Sequence, residues 1–72
     1  MNIGIYIYEN AEVLDFSGPF EVFSTANRFL KNKNQVFLIG QTSQPISARG
    51  GFNVIPHCNI DNHPVFFKVV VA

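Results

Sequence analysis

The chain opens with a pattern typical of a β-strand. Residues 2–8 alternate three isoleucines with a glycine and two tyrosines, and the run ends at the polar pair Glu9 and Asn10. β-Branched and aromatic residues favour strands, and a strand that is apolar on both sides is typical of the middle of a parallel sheet. We therefore predict that residues 2–8 form a central parallel strand.

Beyond Val13 the apolar residues recur every three or four positions, which indicates an amphipathic helix. The stripe contains Phe16, Phe20, Phe23, Asn27 and Leu30, and it is widened by Val22, Ala26 and Phe29. We expect the phenylalanines to pack into the core. Residues 31–34, which include two lysines, end the helix with positive charge where the helix dipole favours it.

The start of this helix has two interpretations. Pro19 follows Gly18 and suits a first helical position, which would place Glu21 in the first turn, where a negative charge favours the helix dipole. Alternatively, the helix begins near Glu12 and Gly18-Pro19 forms a kink within it. The pattern alone does not choose between them.

The remaining residues predict more strands. Gln35–Gly40 is a short apolar strand, and the order strand, helix, strand is typical of a right-handed parallel crossover. Residues 46–48 and 52–55 predict a small hairpin about Arg49-Gly50-Gly51, outside the main sheet. Residues 56–64 form a polar loop, in which Asp61 starts one helical turn, and residues 65–71 have the composition of a buried strand.

Together these elements predict an α/β fold with three parallel strands, one main helix and a small β-hairpin. One helix covers only one face of a parallel sheet, whereas such sheets are nearly always covered on both faces. We therefore expect the 72 residues to be a truncated portion of one domain, or to be covered by another chain.

Composition narrows the function classes. The chain is 47% hydrophobic and 14% charged, which is typical of a segment that buries a core. Its five basic residues are balanced by five acidic ones and form no cluster, so we expect no nucleic-acid binding by this segment. No basic leader and no apolar run of about 20 residues are present, and we predict a cytoplasmic protein without a membrane span.

Residues 13–24 (Val-Leu-Asp-Phe-Ser-Gly-Pro-Phe-Glu-Val-Phe-Ser) resemble the start of the ThiJ/PfpI family, in the class I glutamine amidotransferase-like superfamily. Residues 2–5 and 45–52 are similar to the family's first strand and its hairpin. The resemblance implies that residues 1–72 are the N-terminal part of a flavodoxin-like (Rossmann-like) three-layer sandwich. Family members include isonitrile hydratases, glyoxalase- and protease-like proteins, stress proteins, and transcription regulators in which the domain precedes an AraC-type DNA-binding module. The sequence of residues 14–23 is most similar to the hydratases and the regulators.

The resemblance implies a site built around a cysteine on a strained strand-to-helix turn, hydrogen-bonded to an acidic side chain that Asp15 matches. In the family a Gly-Gly pair follows the strand that corresponds to residues 69–71, and the cysteine comes later; neither is present in these residues. Because such catalysis depends on the whole constellation, we expect no activity from this chain alone. The sequence identifies no substrate and implies no cofactor.

The candidate site residues also have simpler interpretations. Asp15 near a helix start is also suited to capping; Glu21, the second choice as site acid, is suited to pairing with the helix dipole or to facing solvent. Cys58 is interpreted as a loop thiol rather than a nucleophile. His57 and His63 add two zinc-ligand types, but three candidates in one loop lack the usual paired spacing, and we expect no metal site.

Two further alternatives remain. The glycines of Arg49-Gly50-Gly51 could form an anion-binding nest, but a hairpin turn explains them without a ligand, and no phosphate-binding motif is present.

The rival to the truncated-domain hypothesis is a small assembly module that forms a homo-oligomer through its uncovered sheet, because an exposed edge can pair with another strand.

Overall fold

A computed structural model describes residues 1–31 and 33–71. It shows a mixed α/β arrangement: a parallel sheet of four strands in the order β5-β2-β1-β6, one α-helix, and a separate antiparallel pair, β3-β4. The elements are β1 (Asn2–Tyr6), α1 (Val13–Ala26), a 3-10 turn (Asn27–Phe29), β2 (Gln35–Gly40), β3 (Ile46–Ala48), β4 (Phe52–Val54), β5 (Cys58–Asn59) and β6 (Lys68–Val71).

The prediction of a central parallel first strand is confirmed. β1 pairs in parallel with β2 on one side and with β6 on the other. Ile5 and Ile7 are fully buried at 0% and 1% exposure. The number of strands was wrong, because Cys58 and Asn59 add a fourth parallel strand beside β2. Two residues among polar neighbours carry too little strand pattern to be recognised without their partner.

Helix α1 begins after Glu12 and runs through Gly18 and Pro19. The interpretation with Pro19 in the first helical position is therefore wrong, and the one with a start near Glu12 is confirmed. Proline has no backbone N–H to donate, so the helix lacks one hydrogen bond in its second turn. The surrounding packing maintains the helix there, since Phe16 and Phe20 on either side contact the core cluster.

The predicted apolar stripe is buried only in its first half. Phe16 is 4% exposed and Phe20 and Phe23 pack against the core, whereas Phe29 is 83% exposed. Val22 and Leu30 are exposed as well. The helix ends at Ala26, so the residues beyond it no longer follow the helical spacing.

Asn27 explains where the helix stops. Its side-chain amide donates to the Asn34 carbonyl oxygen at 2.7 Å, and its Oδ1 accepts from the Asn34 amide at 2.9 Å. Lys33 Nζ donates to the Asn27 carbonyl oxygen at 2.8 Å, as expected for a cation at a helix C-terminus. Asn32, another of the four residues predicted to end the helix, lies outside the described residues.

The hairpin forms as predicted, with Ile46 opposite Val54 and Ala48 opposite Phe52. Gly50 and Gly51 have φ angles of 81° and 79°, which glycine adopts at little cost. The hairpin lies outside the main sheet, yet Ala48 is 1% exposed and belongs to the hydrophobic core. It therefore closes one end of the core.

The last strand differs from its prediction. Residues 65–71 were expected to form a buried strand, but β6 covers Lys68–Val71 at the sheet edge, and Phe67 and Val71 are 72% and 70% exposed. The preceding loop holds no helical turn at Asp61, whose amide instead donates to Asn59 Oδ1 at 2.9 Å. An asparagine-centred turn thus replaces the predicted helical turn.

The sheet has two unequal faces, which follow from strand register and side-chain alternation. The helix face carries Ile3, Ile5, Val36, Leu38 and Val70, and the open face carries Gly4, Tyr6, Phe37, Ile39, Val69 and Val71. On the open face Phe66 lies directly over Gly4, where an added Cβ would come within 3.2 Å of its ring. The expected uncovered face is therefore exposed mainly along β6.

Candidate functional site

A cleft of about 240 Å³ lies at the carboxyl ends of β1 and β2. Residues 6–9 line one side of it, and residues 41, 42 and 44–46 line the other. The carboxyl ends of the strands are where open α/β sheets bind their ligands, since the loops that follow the strands surround a crevice there. We therefore consider this cleft a candidate site.

The walls of the cleft combine aromatic rings with a positioned carboxylate. The rings of Tyr6 and Tyr8 stack with their centroids 6.2 Å apart and an interplanar angle of 27°. Glu9 Oε1 and Oε2 accept a hydrogen bond from the Ser47 amide at 3.3 and 3.2 Å. The carboxylate therefore joins the end of the central strand to the hairpin.

The backbone around Glu9 holds this geometry. The Asn10 amide donates to the Ser47 carbonyl oxygen at 2.9 Å, and the Arg49 amide donates to the Ala11 carbonyl oxygen at 2.9 Å. Asn10 has a φ of 62°, a left-handed conformation that asparagine adopts more readily than most residues. The exit from β1 is thus fixed against β3 over three consecutive residues.

Asp15 lies in the first turn of α1 and is exposed. The capping interpretation is wrong, because Glu12 occupies the N-cap position and no side chain caps the helix. The Asp15 amide donates to the Glu12 carbonyl oxygen at 3.0 Å. Its carboxylate makes no hydrogen bond or ion pair with any described residue, and Asp15 does not line the cleft. In this position its negative charge interacts favourably with the positive end of the helix dipole.

Glu21 does not lie in the first turn, because α1 starts eight residues before it. The interpretation of Glu21 as a dipole partner is therefore wrong, and its prediction as exposed is confirmed. Its Oε1 accepts from Thr25 Oγ1 at 3.2 Å, one turn further along the helix. Glu21 lies six positions after Asp15, about 120° away round the helix axis, so the two carboxylates lie on different sides of α1.

Cys58 lies in β5 rather than in a loop, and its thiol is free. Its Sγ is 4.0 Å from the Leu38 carbonyl oxygen, and partial burial raises the pKa of the thiol by disfavouring the charged form. A raised pKa reduces the fraction of reactive thiolate. The interpretation of Cys58 as a loop thiol is wrong in its position, because the residue pairs with Ile39 as part of the sheet.

The histidines have structural contacts. His57 Nδ1 accepts from the Leu38 amide at 2.8 Å, and the His57 ring stacks on Phe20 at 6.2 Å. His63 stacks on Phe66 at 5.1 Å. In the part of the chain that the structure describes, no three His, Cys, Asp or Glu side chains gather into a metal site.

Arg49, beside the hairpin glycines, pairs with Glu12 at 3.0 Å in an exposed ion pair.

The cleft residues were missed at the level of sequence. Tyr6 and Tyr8 were interpreted only as one side of a buried strand, and Glu9 only as its polar end. A usable signal was present, because Glu9 and Gln41 each directly follow a strand that the sequence predicts to be parallel. The carboxyl ends of neighbouring parallel strands meet at one edge of the sheet, so residues that follow both strands converge.

No protein family model, curated protein or solved structure matches this chain. Among residues 1–31 and 33–71, no helix is long and apolar enough to cross a membrane.

Proposed function

We propose that these residues are the N-terminal part of a ThiJ/PfpI-like, flavodoxin-like domain, to which Asp15 contributes the site acid, and that they have no catalytic activity alone. The observation that carries the proposal is the position of Asp15. It lies in the first turn of the helix that directly follows the central strand of a parallel sheet. That is the edge at which α/β domains assemble their sites.

The surroundings of Asp15 support its role in a larger site. The carboxylate is exposed and has no partner among the described residues, so it is available to a group that another part of a domain would supply. Its local sequence, Val13-Leu14-Asp15-Phe16-Ser17-Gly18-Pro19, carries the family resemblance.

Two features support the absence of catalysis by these residues alone. Cys58, whose thiol is protonated over a wider pH range because burial raises its pKa, belongs to β5 at the sheet edge. Asp15 follows β1, and β2 lies between β1 and β5. A nucleophile and its acid must lie within hydrogen-bond reach, and Asp15, in the helix that follows β1, is not next to the strand that carries Cys58.

The test begins with the coding sequence beyond codon 72 in the native gene. A Gly-Gly pair directly after β6 and a later cysteine on a strand-to-helix turn are expected. In the continuous protein, Asp15→Asn should then change the pH profile of alkylation of that cysteine, whereas Glu21→Gln should leave it unchanged. A continuation without these residues, or identical profiles for both variants, would contradict the proposal.

A second candidate function is favoured by the exposed edge of the sheet. Val69 and Val71 are 49% and 70% exposed on the open face, and within residues 1–31 and 33–71 β6 has a neighbour only on the β1 side. Folded monomers of 8.1 kDa expose about 4,500 Å², whereas this chain exposes 4941 Å². An apolar edge of this kind can pair with a second copy of the chain.

Light scattering after size-exclusion chromatography separates the two candidates. An assembly module should form one defined oligomer whose melting temperature rises with protein concentration, and Val71→Lys should convert it to monomer. A domain portion should give a monomer or polydisperse aggregates, and Val71→Lys should then increase solubility without a change between two defined sizes.

A further inference from the structure

We propose that the cleft at the carboxyl ends of β1 and β2 binds a small organic cation, with an ammonium group beside Glu9 and an apolar body against Tyr6 and Tyr8. This inference does not rest on the proposed function, because neither Asp15 nor β6 takes part. It rests on three properties of the cleft: its charge, its aromatic wall and its size.

The charge of the cleft is negative. Of the residues that the structure describes around the cleft, Glu9 alone carries a formal charge. Among the described residues, Arg49 pairs with Glu12 rather than with Glu9. The single N–H of Ser47 occupies only part of the acceptor capacity of the Glu9 carboxylate, which has about four lone-pair sites. The carboxylate is therefore held in place and still able to accept from an ammonium group.

The aromatic wall favours the same ligand class. Tyr6 and Tyr8 both line the cleft with their rings stacked, and a cation within about 6 Å of an aromatic ring centroid is attracted by the ring quadrupole. An anionic ligand would meet the Glu9 charge without a compensating cation. Pro45 and Ile46 complete an apolar lining suited to the hydrocarbon part of an amine.

The size of the cleft restricts the ligand. Its volume of about 240 Å³ is below the roughly 300–1,000 Å³ of pockets for drug-sized molecules. A single aromatic or branched aliphatic group with one ammonium is therefore the appropriate scale. The Gln41, Thr42 and Gln44 side chains on the opposite wall can accept from the remaining N–H groups of a primary amine.

The test is a titration of the isotopically labelled 72-residue chain, followed by amide chemical shifts. The probes are phenethylamine, which is protonated at neutral pH, and 2-phenylethanol, its neutral counterpart. We expect saturable shifts at residues 6–9, 41–44 and 46, with the amine bound about fivefold more tightly than the alcohol. Equal affinities, or shifts spread over β6 and the open face, would overturn the proposal.

Matched variants assign the preference to Glu9. Glu9→Gln keeps an acceptor for the Ser47 amide and removes the charge, so it should abolish the preference for the amine while leaving the alcohol unaffected. Glu21→Gln, which removes an exposed carboxylate outside the cleft and leaves the pairing of Arg49 with Glu12 intact, should preserve the preference. If Glu9→Gln disturbs folding, the unmodified chain decides the question through the ratio of its affinities for the amine and the alcohol. Because salt screens the attraction between Glu9 and the ammonium group, this ratio should fall in 0.5 M salt. A ratio that salt does not change would contradict the proposal.

Discussion

The helix face and the open face of the sheet show how differently one sheet can be completed within a single short chain. On the helix face Ile5 and Phe16 are 0% and 4% exposed, whereas on the open face Val69 and Val71 are 49% and 70% exposed. A 14-residue helix and the hairpin cover the first face. The second is covered at its centre by Phe66.

The difference follows from the geometry of cover. A helix presents a side chain to the sheet on every turn, so Phe16, Phe20 and Phe23 cover several strands together. The loop before β6 contributes one ring over Gly4, supported by Phe37 at 5.9 Å and His63 at 5.1 Å. We therefore expect stability to depend mostly on the helix face.

The largest effect should come from Phe16→Ala. Removal of a buried phenylalanine leaves a cavity and should lower the free energy of unfolding by about 3 kcal/mol. Phe67→Ala, at a residue that is 72% exposed, should change it by less than about 0.5 kcal/mol. Urea unfolding followed by circular dichroism measures both. Equal losses for the two variants would mean that the two faces do not differ in their contribution.

The next effect distinguishes a tightly packed position from an open one. A Cβ at Gly40 would lie 2.9 Å from the Thr42 carbonyl oxygen and 3.0 Å from Pro56, so Gly40→Ala should cost about 1–3 kcal/mol. Gly18 in α1 has, apart from its neighbours and the helix's own backbone, no described atom within 4 Å of such a Cβ, and Gly18→Ala should stabilise the chain by about 0.5–1 kcal/mol. Thermal unfolding of both variants checks the opposite signs.

A smaller effect is expected from Phe66→Ala, which removes the ring that covers the open face. Because Phe66 is only half-buried, the loss should be about 1–2 kcal/mol, below that of Phe16→Ala. Hydrogen exchange should accelerate at β6 more than in α1. A uniform acceleration throughout the chain would show that Phe66 supports the whole fold rather than this face.

The smallest effect concerns pH. Burial raises the pKa of Cys58 in the folded chain above its value in the unfolded chain. The folded chain therefore holds the Cys58 proton more tightly than the unfolded chain does. The resulting contribution to the free energy of unfolding is present at neutral pH and is lost as the pH rises through the folded-state pKa. Unfolding free energies measured from neutral to alkaline pH should fall slightly more for the unmodified chain than for Cys58→Ser. Parallel pH profiles would contradict the burial effect.

The helix shows how far periodicity extends. The three- and four-residue spacing correctly identified Phe16, Phe20 and Phe23 as core residues, but it also included Phe29, which is 83% exposed. Spacing measures helical phase only while the helix continues. The end at Ala26 depends on hydrogen bonds between Asn27 and Asn34, a contact that forms only when the chain turns back toward β2.

The candidate site was less predictable than the fold. Asp15 and Glu21 were singled out from their position near a helix start and from the family resemblance, and neither lines the cleft. The residues that do line it come from the ends of β1 and β2 and from the start of β3. These residues converge because β1 and β2 pair, although 28 residues lie between the end of β1 and the start of β2.

The sequence by itself determined the class of fold, the central position of β1, the extent of β2 and the hairpin, because hydrophobic periodicity and glycine turn chemistry are local properties. Tertiary structure alone decided the fourth strand, the end of α1, the exposed edge at β6 and the cleft beside Glu9. Each of these depends on which distant segments pair, and pairing is decided by the packing of the whole chain rather than by the residues of any one segment.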